Sequence, residues 1–396
     1  MSLLTANVAG VGLTPDVVVI GGGIAGVSLG YELAAHRRVT VVEAEVRLGV
    51  HATGRSAAMY VPGHGTPPVR ALIRASGPRF AELPALLGGP RLLHPRPVLW
   101  AAIDEPGELA LRADLAERAG EPDAPRDLSV REALVRCPLL RSDRLRAAAI
   151  TEESGDIDVA SVHQAYVRGL RARGGTVLPA TRVIGVAASG SGWRVSCAGG
   201  QVLHAAEVVD AAGAWVDTVA ALAGVGPLGL RALRRTIVVA RIPGNPPILP
   251  RVAGLPMVVE AAERCYIKPA GERLLLSPAD ETPQQPGEVR VDPRDISRAL
   301  YRVAELTTLG VCRVQSSWAG LRSFVADRVP VVGSRPDHPT FYFFAAQGGS
   351  GIETAPALAA LGASIITGYP PPPGIAVDPA VLSPLRLDQT QRRRIS

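Results

Sequence analysis

Gly21, Gly23 and Gly26 follow a short apolar run, Val17–Ile20, and open a segment with helical spacing over residues 27–35. Glycines at this spacing bring bare backbone N–H groups against a pyrophosphate. Gly21 permits the tight turn, Gly23 lets the backbone approach phosphate, and Gly26 lets helix and strand pack closely. Ile24 and Ala25 stand where the helix begins, and a helix N-terminus presents unpaired N–H groups to an anion. Glu43 ends a second apolar run, Val39–Val42, and Ala44 follows it. A carboxylate about 20 residues past the glycines accepts hydrogen bonds from ribose hydroxyls and disfavours a 2′-phosphate. The bland alternative is a tight turn that binds nothing, which would require strand, glycines, helix and acid to coincide by chance. The triplet by itself does not separate NAD from FAD.

These groups need a β-α-β unit of about 30 residues to hold them. Beyond it, glycines at 49, 54, 63 and 65 make residues 46–66 read as a long ordered loop. Residues 107–135 have helical spacing. Residues 155–158 read as a turn leading into a helix over 159–173. Segments 176–178, 182–187, 193–196 and 202–205 alternate like a small meander, and 208–213 is an apolar strand ending in glycine. Strand-like stretches at 236–241, 257–259, 265–267 and 274–276 precede a helix over 293–306. A last strand over 341–346, a glycine turn over 347–351 and a helix over 354–367 run into Pro370–Pro373, beyond which the tail reads as irregular. Nucleotide-binding signals thus occur at the start, in the middle and near the end. The expected fold is α/β: a Rossmann-like domain of residues 1–90, 151–228 and 326–396, interleaved with an antiparallel-sheet α+β substrate domain of 91–150 and 229–325.

Bulk properties exclude several classes. The chain has 396 residues and 47% hydrophobic residues, enough for about two domains with real cores. The formal charge is +6, almost all of it arginine, since Lys268 is the only lysine. The basic residues are scattered without interleaved aromatics, so nucleic-acid binding is not expected. The Arg392-Arg393-Arg394 run reads as a solvated tail, and residues 1–15 as a loose leader. Cys137, Cys197, Cys265 and Cys312 are far apart, which argues against a metal knuckle, a dithiol site or a disulfide framework. No basic signal n-region and no run of about 18 apolar residues appears, so a cytoplasmic chain with no membrane span is expected.

The segment after the second strand, His51-Ala52-Thr53-Gly54-Arg55-Ser56-Ala57-Ala58, resembles the flavin-contacting loop of the D-amino-acid oxidase-like superfamily of FAD-dependent oxidoreductases. Asp210-Ala211-Ala212-Gly213-Ala214-Trp215 resembles its second FAD segment. Leu321 to Asp327 and Gln347-Gly348-Gly349-Ser350-Gly351-Ile352 resemble the third and fourth. Within the family the chain is most similar to D-arginine dehydrogenase, through Gly65-Thr66-Pro67-x-Val69-Arg70-Ala71-Leu72, Tyr266-x-Lys268-Pro269, Trp318 to Asp327 and Ala345 to Gly349. The likeness runs from about residue 16 to about 385. It implies non-covalent FAD, held by the glycine turn, Glu43, Ala44, the 53–58 loop, Val183, Ala212, Gly213, Trp215 and residues 348–352.

The resemblance also implies a substrate site on the flavin's face. Arg235 and Arg322 match a carboxylate clamp, Tyr266 a tyrosine that meets the same carboxylate, and Gly349 a glycine whose carbonyl faces the amine. Arg235 stands beside Arg234, and such a pair on a strand places one inward and one outward; the likeness makes Arg235 the inward one. Lys268 falls two residues after Tyr266, on the same face of a strand, and related oxidases place a lysine near flavin N5 to assist oxygen reduction; the alternative is a surface lysine. Four positions depart from the D-arginine enzyme: Val98 replaces the acid that should hold the guanidinium, Met59 a histidine, His64 a tyrosine and Glu353 a glutamine. A buried guanidinium without a partner is costly, so D-arginine is not the expected best substrate. His64 and Glu353 are candidate proton acceptors, although His64 suits a plain loop residue and Glu353 a helix start.

The implied reaction is oxidation of the C–N bond of an amino acid or related carboxylate-bearing amine, by hydride transfer to flavin N5, with O2 or another acceptor downstream. Alternatives are a biosynthetic tailoring flavoenzyme acting on an unusual nitrogen-containing acid, a non-catalytic flavoprotein subunit, and an NAD-dependent dehydrogenase lacking the flavin segments. Substrate stereochemistry and oligomeric state are not legible.

Overall fold

The structure is a computed structural model that describes residues 14–241, 254–309 and 313–388. Cys312, the Arg392-Arg393-Arg394 run and all but the end of the expected leader lie outside the described residues.

Val17–Ile20 is β-branched throughout and buried on both faces, as a central parallel strand requires. It pairs in parallel with Val39–Val42 on one side and Glu207–Asp210 on the other. Thr176–Leu178 and His338–Ala345 extend the sheet in parallel at either side, and Val331–Arg335 adds an antiparallel edge. Side chains alternate across the central strand. Val17 and Val19 pack beneath helices Ile24–Leu33, Pro67–Leu87, Val159–Ala172 and Gly351–Thr367. Val18 and Ile20 pack against Trp193, Val195, Val216 and Val219.

A nine-stranded sheet forms the second unit. Its long pair, Arg231–Arg241 and Arg313–Phe324, runs antiparallel with Leu233 opposite Arg322 and Arg235 opposite Gly320. Alternation again divides the faces. Leu99, Val238 and Ile267 pack in a core with Ala133, Ala299 and Val303 of helices Val130–Arg136 and Pro293–Leu306. Val98, Ile237 and Tyr266 point to the other side. The parallel sheet draws on residues 17–42, 176–210 and 331–345, and the nine-stranded sheet on 98–151 and 231–324. A small ribbon of Met59–Tyr60, Gly155–Ile157 and Leu93–Pro95 lies where the chain passes between them.

Several elements differ from the sequence reading. Thr176–Leu178 is not part of the meander. It emerges from the crossover helix Val159–Ala172 and joins the parallel sheet, so the meander is Val183–Ser189, Gly192–Cys197 and Val202–Ala205. The loop after Glu43 contains the strand Met59–Tyr60, and the expected turn at 155–157 is its partner strand, because each satisfies the other's backbone. Residues 107–135 hold two helices, Glu105–Glu117 and Val130–Arg136, with strand Arg126–Leu128 between them. Helix Pro67–Leu87 has no counterpart in the sequence reading; Pro78 and Pro84 inside it mask its periodicity. Cys137, Cys197 and Cys265 are buried and free.

Candidate active site

A cavity of about 620 Å³ lies past the ends of the parallel strands, at Ile20, Val42 and Ala211, and against Arg235, Tyr266 and Arg322 of the nine-stranded sheet. Ligands of doubly wound sheets bind outside the carboxyl ends of the strands, and here the second sheet supplies the other wall.

On the first wall the main chain sets the shape. Gly21 has φ +115°, and a Cβ there would lie 2.5 Å from the Ala211 carbonyl oxygen. A Cβ on Gly26 would collide with the Gly21 carbonyl oxygen, so Gly26 sits behind the wall and fixes the approach of helix to strand. Gly23 is the N-cap of helix Ile24–Leu33 and has no side-chain cap. Gly23, Ile24 and Ala25 line the cavity, and the Ile24 N–H donates to Thr53 Oγ1 at 3.0 Å. Glu43 accepts from the N–H groups of Gly22 and Glu45, both at 2.8 Å. Its carboxylate keeps acceptor capacity for a ribose, and Ala44 beside it also faces the cavity. His163, missed in the sequence reading, meets the Gly22 carbonyl from behind at 2.9 Å. Burial holds its imidazole below the ordinary range, so the neutral ring donates there at neutral pH.

The 53–58 loop divides. Thr53, Arg55, Ser56 and Ala57 line the cavity. Gly54 turns away and donates to the Gly49 carbonyl at 2.7 Å, while the Ala58 carbonyl faces Lys268. Val183, Ala212, Gly213 and Trp215 line the cavity, as do Gly348, Gly349, Gly351 and Ile352. Ser350 lies behind, its N–H on the Gln347 carbonyl at 3.0 Å. Sequence reasoning also missed Thr181 and Arg182 next to Val183, and Glu288 and Val289, which reach the cavity from a loop without any motif. Cavity volume, bare glycine edge, helix N-terminus and flanking carboxylate together fit an adenine dinucleotide.

The second wall is cationic. Leu233 opposes Arg322 and Arg235 opposes Gly320, which makes Arg235 and Arg322 diagonal neighbours on one face. Arg234 turns the other way, into Asp295 at 2.6 Å. Arg235 gives Nε to the Asp280 carbonyl at 2.9 Å and Nη2 to Glu281 at 3.2 Å. Arg322 has no hydrogen bond or ion pair among the described residues. Burial, and then the charge of Arg235, push its guanidinium down to about 10. It therefore stays charged at neutral pH, but with an unmet demand for an anion. Gly349 packs on it, for a Cβ there would fall 2.9 Å from Arg322 Nη1. Tyr266 lines the same cavity from strand Tyr266–Ala270, which Arg273–Ser277 separates from Arg231–Arg241.

Of the residues expected to take part in the chemistry, Lys268, Glu353 and His64 do not line the cavity. The Lys268 ammonium meets Asp156 at 2.9 Å and the Ala57 and Ala58 carbonyls at 3.3 and 3.0 Å. Desolvation lowers its pKa, and Asp156 opposes that shift. Glu353 is buried in the first turn of helix Gly351–Thr367, where it accepts from the Val61 N–H at 3.0 Å and meets His64 Nδ1 at 3.3 Å. Burial works against the His64 imidazolium, but the Glu353 hydrogen bond and charge, helped by Glu263, outweigh it and hold His64 above the ordinary range. Met59 and Val98 are buried in an apolar cluster with Ile237 and Tyr266, directly behind the cavity wall. No group of three or more His, Cys, Asp or Glu suited to a metal ion occurs among the described residues, and no helix among them is long and apolar enough to cross a membrane.

The chain is 26% identical to glycine oxidase of Geobacillus kaustophilus (strain HTA426) over 366 residues, 89% of this chain and 92% of that one. The crystal structure of glycine oxidase from Geobacillus kaustophilus superposes with a TM-score of 0.81 at 25% identity, covering 93% of this chain and 98% of the other. L-proline dehydrogenase from P. horikoshii superposes with a TM-score of 0.82 at 20% identity, over 95% and 98% of the two chains, a likeness of fold. None of these is a D-arginine dehydrogenase, so the finer resemblance is not what they bear out. The family model for FAD dependent oxidoreductases, DAO, matches residues 16–365. The chain belongs to the DAO family of FAD-dependent oxidoreductases, and FAD is its cofactor.

Proposed function

We propose that this enzyme oxidises the C–N bond of a small amino acid, or a related carboxylate-bearing amine, to the imine. The observation that carries the reading is Arg322: a desolvated guanidinium with no hydrogen bond or ion pair among the described residues, on the same cavity as the glycine cradle. Bound FAD supplies the acceptor for the hydride, and its electrons then pass to O2 or another acceptor. Arg322 and Tyr266 hold the substrate carboxylate, because a planar guanidinium fixes a carboxylate in one plane. The Gly349 carbonyl takes the amine. Two attachment points orient the Cα–H.

The apolar cluster of Met59, Val98, Ile237 and Tyr266 supports a small or apolar substrate side chain. Val98 is fully buried there, and a guanidinium beside it would find no acid. Glycine oxidase among the relatives suits this reading. Glu353 is committed to Val61 and His64, which disfavours a tailoring role in which it meets an extra substrate nitrogen.

Anaerobic mixing with glycine, sarcosine, the two alanines, the two prolines and D-arginine, followed by flavin bleaching, tests the proposal. Bleaching by at least one small amino or imino acid, with D-arginine far slower, is expected. Fastest bleaching by D-arginine would sink the pocket reading. Bleaching by no amine would favour a non-catalytic subunit.

A further inference from the structure

We propose that Glu281 sets the charge selectivity of the cavity: it occupies Arg235 from behind, so that of the two facing arginines only Arg322 is without a hydrogen bond or ion pair among the described residues, and the site is matched to a substrate with a single carboxylate. The inference rests on the reading of the cavity as a carboxylate-binding site.

Arg235 and Arg322 leave the same face of two neighbouring strands. Two free guanidiniums at that spacing would suit a dianion. Arg235 is not free, since Glu281 takes its Nη2 at 3.2 Å and the Asp280 carbonyl takes its Nε at 2.9 Å. Glu281 lies outside the cavity lining, so it binds Arg235 without filling the space a substrate would use. A second arginine keeps Glu281 in place: Arg328 donates to its two carboxylate oxygens at 2.7 and 3.1 Å. Arg328 is itself fixed, with its guanidinium carbon 3.9 Å from the centre of the Phe324 ring. Its backbone has φ +59°, a conformation a non-glycine residue keeps only where its surroundings hold it. Glu281 and Arg328 meet at one end of the long strand pair, where Arg231 opposes Phe324, and they come from segments 46 residues from Arg235 and 47 residues from Glu281 respectively. The internal carboxylate is therefore held on Arg235 by tertiary structure, whereas no carboxylate is bound to Arg322 among the described residues and only the more distant charges of Glu281 and Glu263 reach it.

Acetate and malonate separate the two cases, because neither carries an amine to be oxidised. Each is titrated into the FAD-loaded protein, and the perturbation of flavin absorption is followed. The wild-type protein is expected to bind acetate at least as tightly as malonate. In Glu281→Gln, Arg235 becomes available to a second carboxylate, and malonate gains about tenfold relative to acetate, as a charge-assisted hydrogen bond warrants. Arg328→Gln removes the second partner that holds Glu281, and malonate gains relative to acetate by less than in Glu281→Gln. An unchanged ratio in Glu281→Gln with FAD retained overturns the proposal, as does a larger gain in Arg328→Gln than in Glu281→Gln or a clear wild-type preference for malonate. If neither acid perturbs the wild-type flavin, the carboxylate-site reading falls and this inference falls with it. If acetate binds and the ratio does not move, only the inference falls.

Discussion

At the glycine cradle the limiting atoms are main chain: the Ala211 carbonyl below Gly21, the Gly21 carbonyl below Gly26 and the N–H of Ile24. At the second wall they are the ends of long side chains, Arg235, Tyr266 and Arg322, brought together from three separate strands of a β-sheet. A cradle of backbone has no slack, because a Cβ at Gly26 can be relieved only by parting a helix from its strand. A wall of side chains has slack in charge and rotamer, and a change of partner alters it without moving the fold. Cofactor identity is thus the rigid property of this enzyme, and substrate choice the adjustable one.

The sharpest way to break this contrast is Gly26→Val. It should yield a protein purified without flavin, measured as the ratio of FAD to protein, because the helix N-terminus is pushed away from its strand. Full FAD occupancy would show that the cradle has slack after all. The matching change on the other wall, Arg322→Met, should retain FAD and lower kcat/KM for the best small substrate by about 100-fold or more, the range for losing a buried charged partner. Loss of FAD together with activity would erase the distinction between the walls.

Lys268→Met probes the seam between the two regions, since its ammonium ties Asp156 and the Ala57 and Ala58 carbonyls to the nine-stranded sheet. We expect a loss of about 3 kcal/mol in urea unfolding, the low end for a broken buried pair, because Arg96 still holds Asp156 at 2.5 Å. Slower flavin reoxidation with unchanged reduction in this variant would give Lys268 a role in oxygen chemistry as well.

The smallest effect is a pH dependence at His64. Its folded-state pKa is raised, so the His64–Glu353 interaction stabilises fully below the unfolded value of about 6.5 and fades as pH rises through the higher folded value. The Tm advantage of the wild-type protein over Glu353→Gln should shrink over that rise, down to the part owed to the Val61 hydrogen bond. A constant difference in Tm across that window would remove Glu353 as the cause.

Legibility in the sequence followed the same division. The strand Val17–Ile20, the glycine turn and Glu43 could be read directly, because each residue acts within one β-α-β unit. Helix Pro293–Leu306 could be read as well, its apolar face repeating at helical spacing. Helix Pro67–Leu87 could not, since its prolines mask the period until packing against helices Val159–Ala172 and Gly351–Thr367 outweighs them. Thr176–Leu178 looked like its antiparallel successors and was claimed by the parallel sheet, because its partner Val39–Val42 lies far away in sequence. Among the site residues, Arg235, Tyr266 and Arg322 reached the cavity, whereas Lys268, His64 and Glu353 found partners around it.

The sequence alone determined that a dinucleotide meets Gly21, Gly23 and the start of the following helix, since those constraints are local and steric. Its later glycine segments, by their likeness to a family, made that dinucleotide FAD. Only the tertiary structure decided which arginine is left without a partner. Nothing in the chain order says that Glu281 pairs with Arg235 and Arg328 while Arg322 stays bare. Charge pairing depends on distances between segments far apart in sequence, and folding alone sets those distances.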